Sequence, residues 1–179
     1  VPTVSSTAYL FNPSNGNFGF PMFFSGARLL HSATALSNGK VLIAGGLSLD
    51  LTTFLQTLDP LDLIIGTRDD CLLYSSGFIF GGFSQVQGMQ IGRAGAAIAP
   101  LPNGGALIAG GFELTIDIGN ANFVIGATET ADVFSQSPSA IVPTGSMAAA
   151  RLFPITANLP DGTVMVLGGG PLNAEIFQR

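Results

Sequence analysis

The 179-residue sequence predicts an all-β fold built from repeated four-stranded antiparallel units. Three observations carry that expectation. Three segments align without gaps over eighteen positions: RLLHSATALSNGKVLIAG (28–45), RAGAAIAPLPNGGALIAG (93–110) and RLFPITANLPDGTVMVLG (151–168). A five-residue motif, with a small residue second and an aromatic ring fifth, occurs four times: TAYLF (7–11), DCLLY (70–74), TADVF (130–134) and NAEIF (173–177). No stretch of useful length shows the 3.6-residue period of an amphipathic helix.

The aligned segments begin with Arg28, Arg93 and Arg151, offset by 65 and 58 residues, and carry Leu36, Leu101 and Leu159 at the ninth place. Two places further on stand Asn38-Gly39, Asn103-Gly104 and Asp161-Gly162. These dipeptides predict tight hairpins of type I′, in which both central residues take φ > 0. The following runs, VLIAGG, ALIAGG and VMVLGG, are apolar throughout, which predicts second strands buried on both faces. They close on the pairs Gly45-Gly46, Gly110-Gly111 and Gly168-Gly169, where the backbone can turn or approach a neighbour closely. The aromatic-ended motif reads as the third strand after each hairpin. Irregular stretches around Phe18, 80–83 and Ile141-Val142 are candidates for a fourth. The blade-like repeats thus fall near 7–46, 70–111 and 130–170, with a final strand at 173–178, all in one unit spanning 1–179. Repeated four-stranded antiparallel sheets of this kind are the blades of a β-propeller.

Composition narrows the function classes. The chain is 47% hydrophobic and 9% charged, with 24 Gly and no Trp, which excludes a disordered tail, a coiled coil and a disulfide-stapled mini-domain. Six basic residues against eleven acidic ones give a net charge of −5 and no basic patch, so nucleic acid is not an expected partner. The apolar runs are short and interrupted by Gly, Ser and Asp, so no membrane-spanning helix is expected. The single Cys71 permits no internal disulfide. One Lys among many Gly, Ser, Thr and Asn suits an extracellular protein or one on a particle or cell surface. The sequence starts at Val1 without Met, which we read as a processed or incomplete chain.

The full pattern, A-[ED]-x-[FY], a gap, M-x-x-x-R, a strand, [ND]-G and V-L-x-x-G-G, resembles a kelch repeat. It is similar to bacterial kelch proteins and to the central domain of galactose-oxidase-like proteins. The third unit matches best and includes Met147 ahead of Arg151; the first has His31 where many such repeats have His; the second departs at Gly95-Ala96. The Trp that often marks a kelch fourth strand is missing, and Phe18 or Ile141 stands in for it. The resemblance implies a kelch-like propeller. It also implies, for the oxidase branch, a copper site of two His, two Tyr and a Tyr-Cys crosslink, which one His cannot supply. No catalytic, cofactor or metal residues are therefore assigned, and no cofactor is expected.

Three blades are fewer than the ~4–8 that close a propeller. The ring is completed by missing chain, by oligomerisation of this chain, or by partners that cap an open stack. Two long connections separate a Gly pair from the next third strand, and within them 47–51 and 112–118 alternate apolar and polar residues. Both read as long hairpins leaving the blade, with apolar stripes covered either by the ring or by a partner.

The remaining candidates have structural readings. Recurrence of Arg28, Arg93 and Arg151 in every unit points to fold-supporting arginines that bond loop carbonyls or a carboxylate such as Glu175. His31 has Ser32 next in sequence, hence on the opposite face of a strand, and takes a structural or loop role. Asp59, Asp62, Asp69 and Asp70 read as a solvated acidic loop, because their spacing matches no calcium loop. Cys71 sits where the other copies have Ala and reads as a buried small residue. The expected function is a non-catalytic structural or binding module that assembles with itself or another protein through strand edges and apolar hairpins. The alternatives are a fragment of a galactose-oxidase-like or other carbohydrate-active propeller enzyme, and a glycan-binding propeller.

Overall fold

The computed structural model describes residues 5–50, 52–62, 64–77, 81–171 and 173–178. Strands Ser32–Ala35, Val41–Ala44, Cys71–Ser75 and Gly82–Val86 form one antiparallel sheet in that order. A second sheet repeats the arrangement with Ala97–Pro100, Ala106–Ala109, Ala131–Gln136 and Ser139–Pro143. A third has three strands, Ile155–Asn158, Val164–Leu167 and Ala174–Phe177. Ahead of them, Thr7–Ala8 pairs with Met22–Phe23. These are propeller blades. The third strand follows its hairpin in sequence and pairs with the hairpin's second strand, as the motif order predicts.

The first strands of the three blades lie side by side at the centre. Hydrogen bonds tie them together: the Ser32 hydroxyl donates to the Ala96 carbonyl at 2.5 Å, the Thr156 hydroxyl to Ile98 at 3.0 Å, and the Asn158 amide to Pro100 at 2.7 Å. Blades then stack face to face. Leu42, Ala44, Cys71 and Leu73 of the first pack on Ala106, Ile108, Phe134 and Ile141 of the second. Leu107, Ala109 and Val133, on the second blade's other face, pack on Val164 and Val166 of the third. Ala106–Ala109 is continuously apolar because alternate residues enter two different cores.

Two expectations need correction. The hairpin turns are not type I′: Gly39, Gly104 and Gly162 have φ of +79°, +86° and +88°, while Asn38, Asn103 and Asp161 stay out of the positive region. Each is a three-residue loop with Gly in the left-handed position, closed by a bond such as Gly39 N–H to the Leu36 carbonyl at 3.0 Å. The Asn or Asp side chain accepts from the backbone two residues on, at 3.0 Å in all three copies. Phe18 is not a fourth strand; Asn17–Phe18 pairs with Phe11–Asn12 in a separate hairpin, and Met22–Phe23 occupies the fourth-strand place. Of the stretch 80–83, residue 80 lies outside the described residues, and Gly82–Val86 is the fourth strand of the first blade.

The long connections form hairpins that leave the blades, as expected: Leu47–Asp50 with Ile64–Thr67 and Phe112–Asp117 with Asn122–Ala127. Beyond that expectation, Thr115, Ile116 and Asp117 pair with Gly66, Ile65 and Ile64, so the two hairpins join as a separate four-stranded sheet. The first hairpin carries a six-residue helix, Thr52–Thr57, and a turn of 3₁₀ helix, Pro60–Asp62, at its tip.

Candidate interaction surface

The repeated arginines come first, because they hold the face from which the inserted sheet rises. All three are buried, at 3%, 1% and 0% exposure. In each blade Nη1 donates to the carbonyl of the first glycine of the pair: Arg28 to Gly45 at 3.1 Å, Arg93 to Gly110 at 3.4 Å, Arg151 to Gly168 at 2.7 Å. Nη2 meets a carboxylate: Asp70 at 2.8 Å, Asp132 at 2.8 Å, Glu175 at 3.0 Å. The glycines complete the joint. Gly46 donates to the Arg93 carbonyl at 2.9 Å and Gly111 to the Arg151 carbonyl at 2.8 Å, so the first two pairs each bond to the next blade. Both members have positive φ, and a Cβ on Gly45 would lie 2.2 Å from the Arg93 carbonyl oxygen.

The carboxylates differ in setting. Asp132 and Glu175 occupy the third place of their motifs, but in DCLLY that place is Leu72 and Asp70 at the first place substitutes. Asp70 is therefore a buried arginine partner and not part of a solvated loop, which corrects the reading of the acidic cluster. Burial works against its charge, yet hydrogen bonds from Arg68 and Arg28 outweigh burial and hold its pKa below the ordinary value. Asp132 has one arginine, and there burial wins, pushing its pKa up. Glu175 is less enclosed; burial is outweighed by the Ala148 N–H and Arg151, and its pKa falls. At the tip Asp59 is exposed and accepts from the Leu61 N–H at 2.9 Å, while Asp62 is half-buried and accepts from the Thr57 hydroxyl at 2.5 Å.

Cys71 is fully buried, and burial raises its thiol pKa to about 12. His31 is exposed overall, yet its ring is partly shielded from water by its surroundings, and this desolvation, followed by the Arg28 charge, lowers its pKa. Among the described residues no three His, Cys, Asp or Glu side chains group to hold a metal ion. Among the described residues no helix is long and apolar enough to cross a membrane. The arginine joints bind the blades to one another, and their hydrogen-bonding capacity is directed inward.

What the chain offers outward is apolar. On the inserted sheet, period-two alternation places Leu47, Leu49, Ile65, Leu114, Ile116, Phe112, Phe123 and Ile125 on one face. Phe123 is 65% and Ile125 82% exposed. A groove of about 330 Å³ runs between this sheet and the third blade, lined by Phe112, Ile125, Gly126, Ala127, Leu152 and Phe153, none with a polar side chain. Phe112 and Phe153 meet edge to face at 5.5 Å. Phe153 holds φ +49°, an uncommon conformation for a side-chain-bearing residue; the equivalent places are Leu30 at +54° and Gly95 at +61°. A Cβ on Gly95 would strike the Phe153 ring at 2.3 Å, so glycine there makes room for it. A second apolar area, Tyr9, Phe11, Phe18, Phe20 and Phe23, lies exposed near the first short sheet.

Sheet order, central first strands and stacked blade faces define a β-propeller. No protein-family model matches the sequence, and no curated protein matches it. Among solved structures the chain is similar to YjhT, with a TM-score of 0.67 at 9% identity over 97% of this chain and 52% of that one. It is also similar to a fungal alcohol oxidase of the AA5 family solved in complex with copper, with a TM-score of 0.61 at 16% identity over 84% of this chain and 30% of that one. The chain thus spans about half of the first structure and less than a third of the second.

Proposed function

We propose that this chain is a kelch-type propeller segment that works as a non-catalytic structural or binding module in an extracellular or surface setting. It assembles through open strand edges and the apolar inserted hairpins. The single observation that carries the reading is the inserted sheet, whose outer strand stands exposed beside an apolar groove while the rest of its apolar face is half-buried. Exposed contiguous apolar surface marks association sites. Among the described residues Ala174–Phe177 is the outermost strand of the third blade.

A carbohydrate-active propeller enzyme is the competing reading, favoured by the likeness to the AA5 oxidase. A turnover assay separates the two. The purified chain, loaded with copper and given galactose, is expected to release no hydrogen peroxide. Release that scales with chain concentration and disappears in His31→Ala overturns the non-catalytic reading. A glycan-binding role is favoured by the exposed rings of Tyr9, Phe11, Phe18, Phe20 and Phe23, and a glycan array reads it directly.

A further inference from the structure

The inserted sheet has an internal precedent for its own growth. Ile64–Thr67, the outgoing strand of the first hairpin, reads IIGT, and its edge receives the incoming strand of the second hairpin at Ile64, Ile65 and Gly66. The outgoing strand of the second hairpin, Asn122–Ala127, ends VIGA in the equivalent place. By repetition its edge at Val124, Ile125 and Gly126 awaits the incoming strand of a third hairpin. That hairpin does not exist: after Gly168-Gly169 the chain passes to the strand Ala174–Phe177 through a connection too short to hold one. Among the described residues the edge therefore lies open, with all six residues exposed.

Edge strands are ordinarily protected by charge, proline, a bulge or shortness. Asn122–Ala127 carries no charged residue and no proline, and all six residues pair regularly with Phe112–Asp117 on its inner side. It is also self-complementary. Antiparallel pairing of the strand with itself about a two-fold axis normal to the sheet keeps the apolar faces on one side only when opposed residues have equal parity. Centred on Ile125, that register sets Phe123 opposite Ala127, Val124 opposite Gly126 and Ile125 opposite Ile125. Each large side chain meets a small one, the central pair is apolar, and no like charges face each other. The central three of these five positions, Val124, Ile125 and Gly126, correspond to those that Ile64, Ile65 and Gly66 use inside the chain. Phe123 of the second copy, opposite Ala127, then reaches the mouth of the groove formed by Phe112, Ile125, Leu152 and Phe153.

We propose that Asn122–Ala127 pairs antiparallel with the same strand of a second copy, Ile125 against Ile125, fusing two four-stranded inserted sheets into one continuous sheet across a two-fold axis. This rests on the assembly reading above and names the strand and partner that carry it. Two substitutions test it in the full chain. Ile125→Cys places two thiols at the axis, where antiparallel Cα separations of ~4.5–5.5 Å suit a disulfide. It is expected to form a reducible dimer on mild oxidation, while the buried Cys71 of the parent and an Asn120→Cys control do not crosslink. Ile125→Lys sets two ammonium groups together and is expected to halve the light-scattering mass from two chains to one; the side chain is exposed, so circular dichroism should stay unchanged. A dimer that survives Ile125→Lys but is split by Ile176→Lys overturns this strand pairing and leaves assembly itself standing. A parent chain that stays at 18.3 kDa throughout the micromolar range, with no crosslinking of Ile125→Cys, overturns the proposal outright, whatever the peroxide assay gives.

Discussion

The blades and the inserted sheet are made of similarly apolar strands, yet the two regions bury them differently. Ala106–Ala109 is buried on both faces, because a blade lies on either side and Arg93 anchors the adjoining glycines to the blade edge. Asn122–Ala127, a few residues further along the same chain, is exposed at every position. Apolar sequence alone does not make a core; a core needs a second surface at packing distance. In the blades the repeat supplies that surface. In the inserted sheet the repeat stops after two hairpins.

The comparison is most sharply broken at an arginine joint. Arg93→Ala leaves the Asp132 carboxylate buried without its partner, and a loss of about 3–5 kcal/mol is expected in urea denaturation. A loss near zero would mean that the joint is not what ties the blades. Next comes the hairpin loop: Gly162→Val imposes a Cβ at φ +88°, and about 1–2 kcal/mol is the expected cost by the same measurement. In the inserted sheet, Ile125→Lys in dilute solution should alter stability by no more than about 0.5 kcal/mol, because the side chain is already in water. A larger loss would place Ile125 in a core.

The smallest effect separates two blades by pH. The Asp70 pKa lies below its unfolded value, so its stabilisation is complete above the unfolded pKa and is lost as pH falls through the folded one. The Asp132 pKa is raised, so its contribution has the opposite sense, present at low pH and lost as pH rises through the folded value. Carboxyl-carbon NMR titration should show Asp132 taking its proton at higher pH than Asp70. Asp70→Asn should flatten the acid limb of the unfolding profile. The reverse order of titration would show that Arg68 adds nothing to the first joint.

Much of the blade was legible in order along the chain. The Asn-Gly and Asp-Gly loops, the apolar second strands and the aromatic-ended third strands are local signals, because a hairpin is fixed by residues within a few positions of its turn. The dipeptide alone does not separate the turn types, because Asn-Gly serves both the two-residue loop and the three-residue loop with a left-handed glycine. Leu36, Leu101 and Leu159, each bonded to the residue four places on, were the available clue. Arginine partners were half legible. Glu175 was foreseen, and the Asp132 motif matches it, but Asp70 was hidden because Leu72 fills the usual place and the acid moved two residues back.

The sequence by itself determined the strands, the hairpins, the positions needing glycine and the arginine that each blade requires, since all of these depend on short-range sterics and on a pattern repeated three times. Tertiary structure alone decided which strands share a sheet. The hairpins at 47–67 and 112–127 carry no mark that they pair with each other; they do so because neighbouring blades bring their roots together, and an unsatisfied strand edge takes the nearest strand available. For the same reason only the assembled molecule shows that Asn122–Ala127 has no strand on its outer side among the described residues: its exposure is a property of where the next blade lacks a hairpin, not of the strand's own residues.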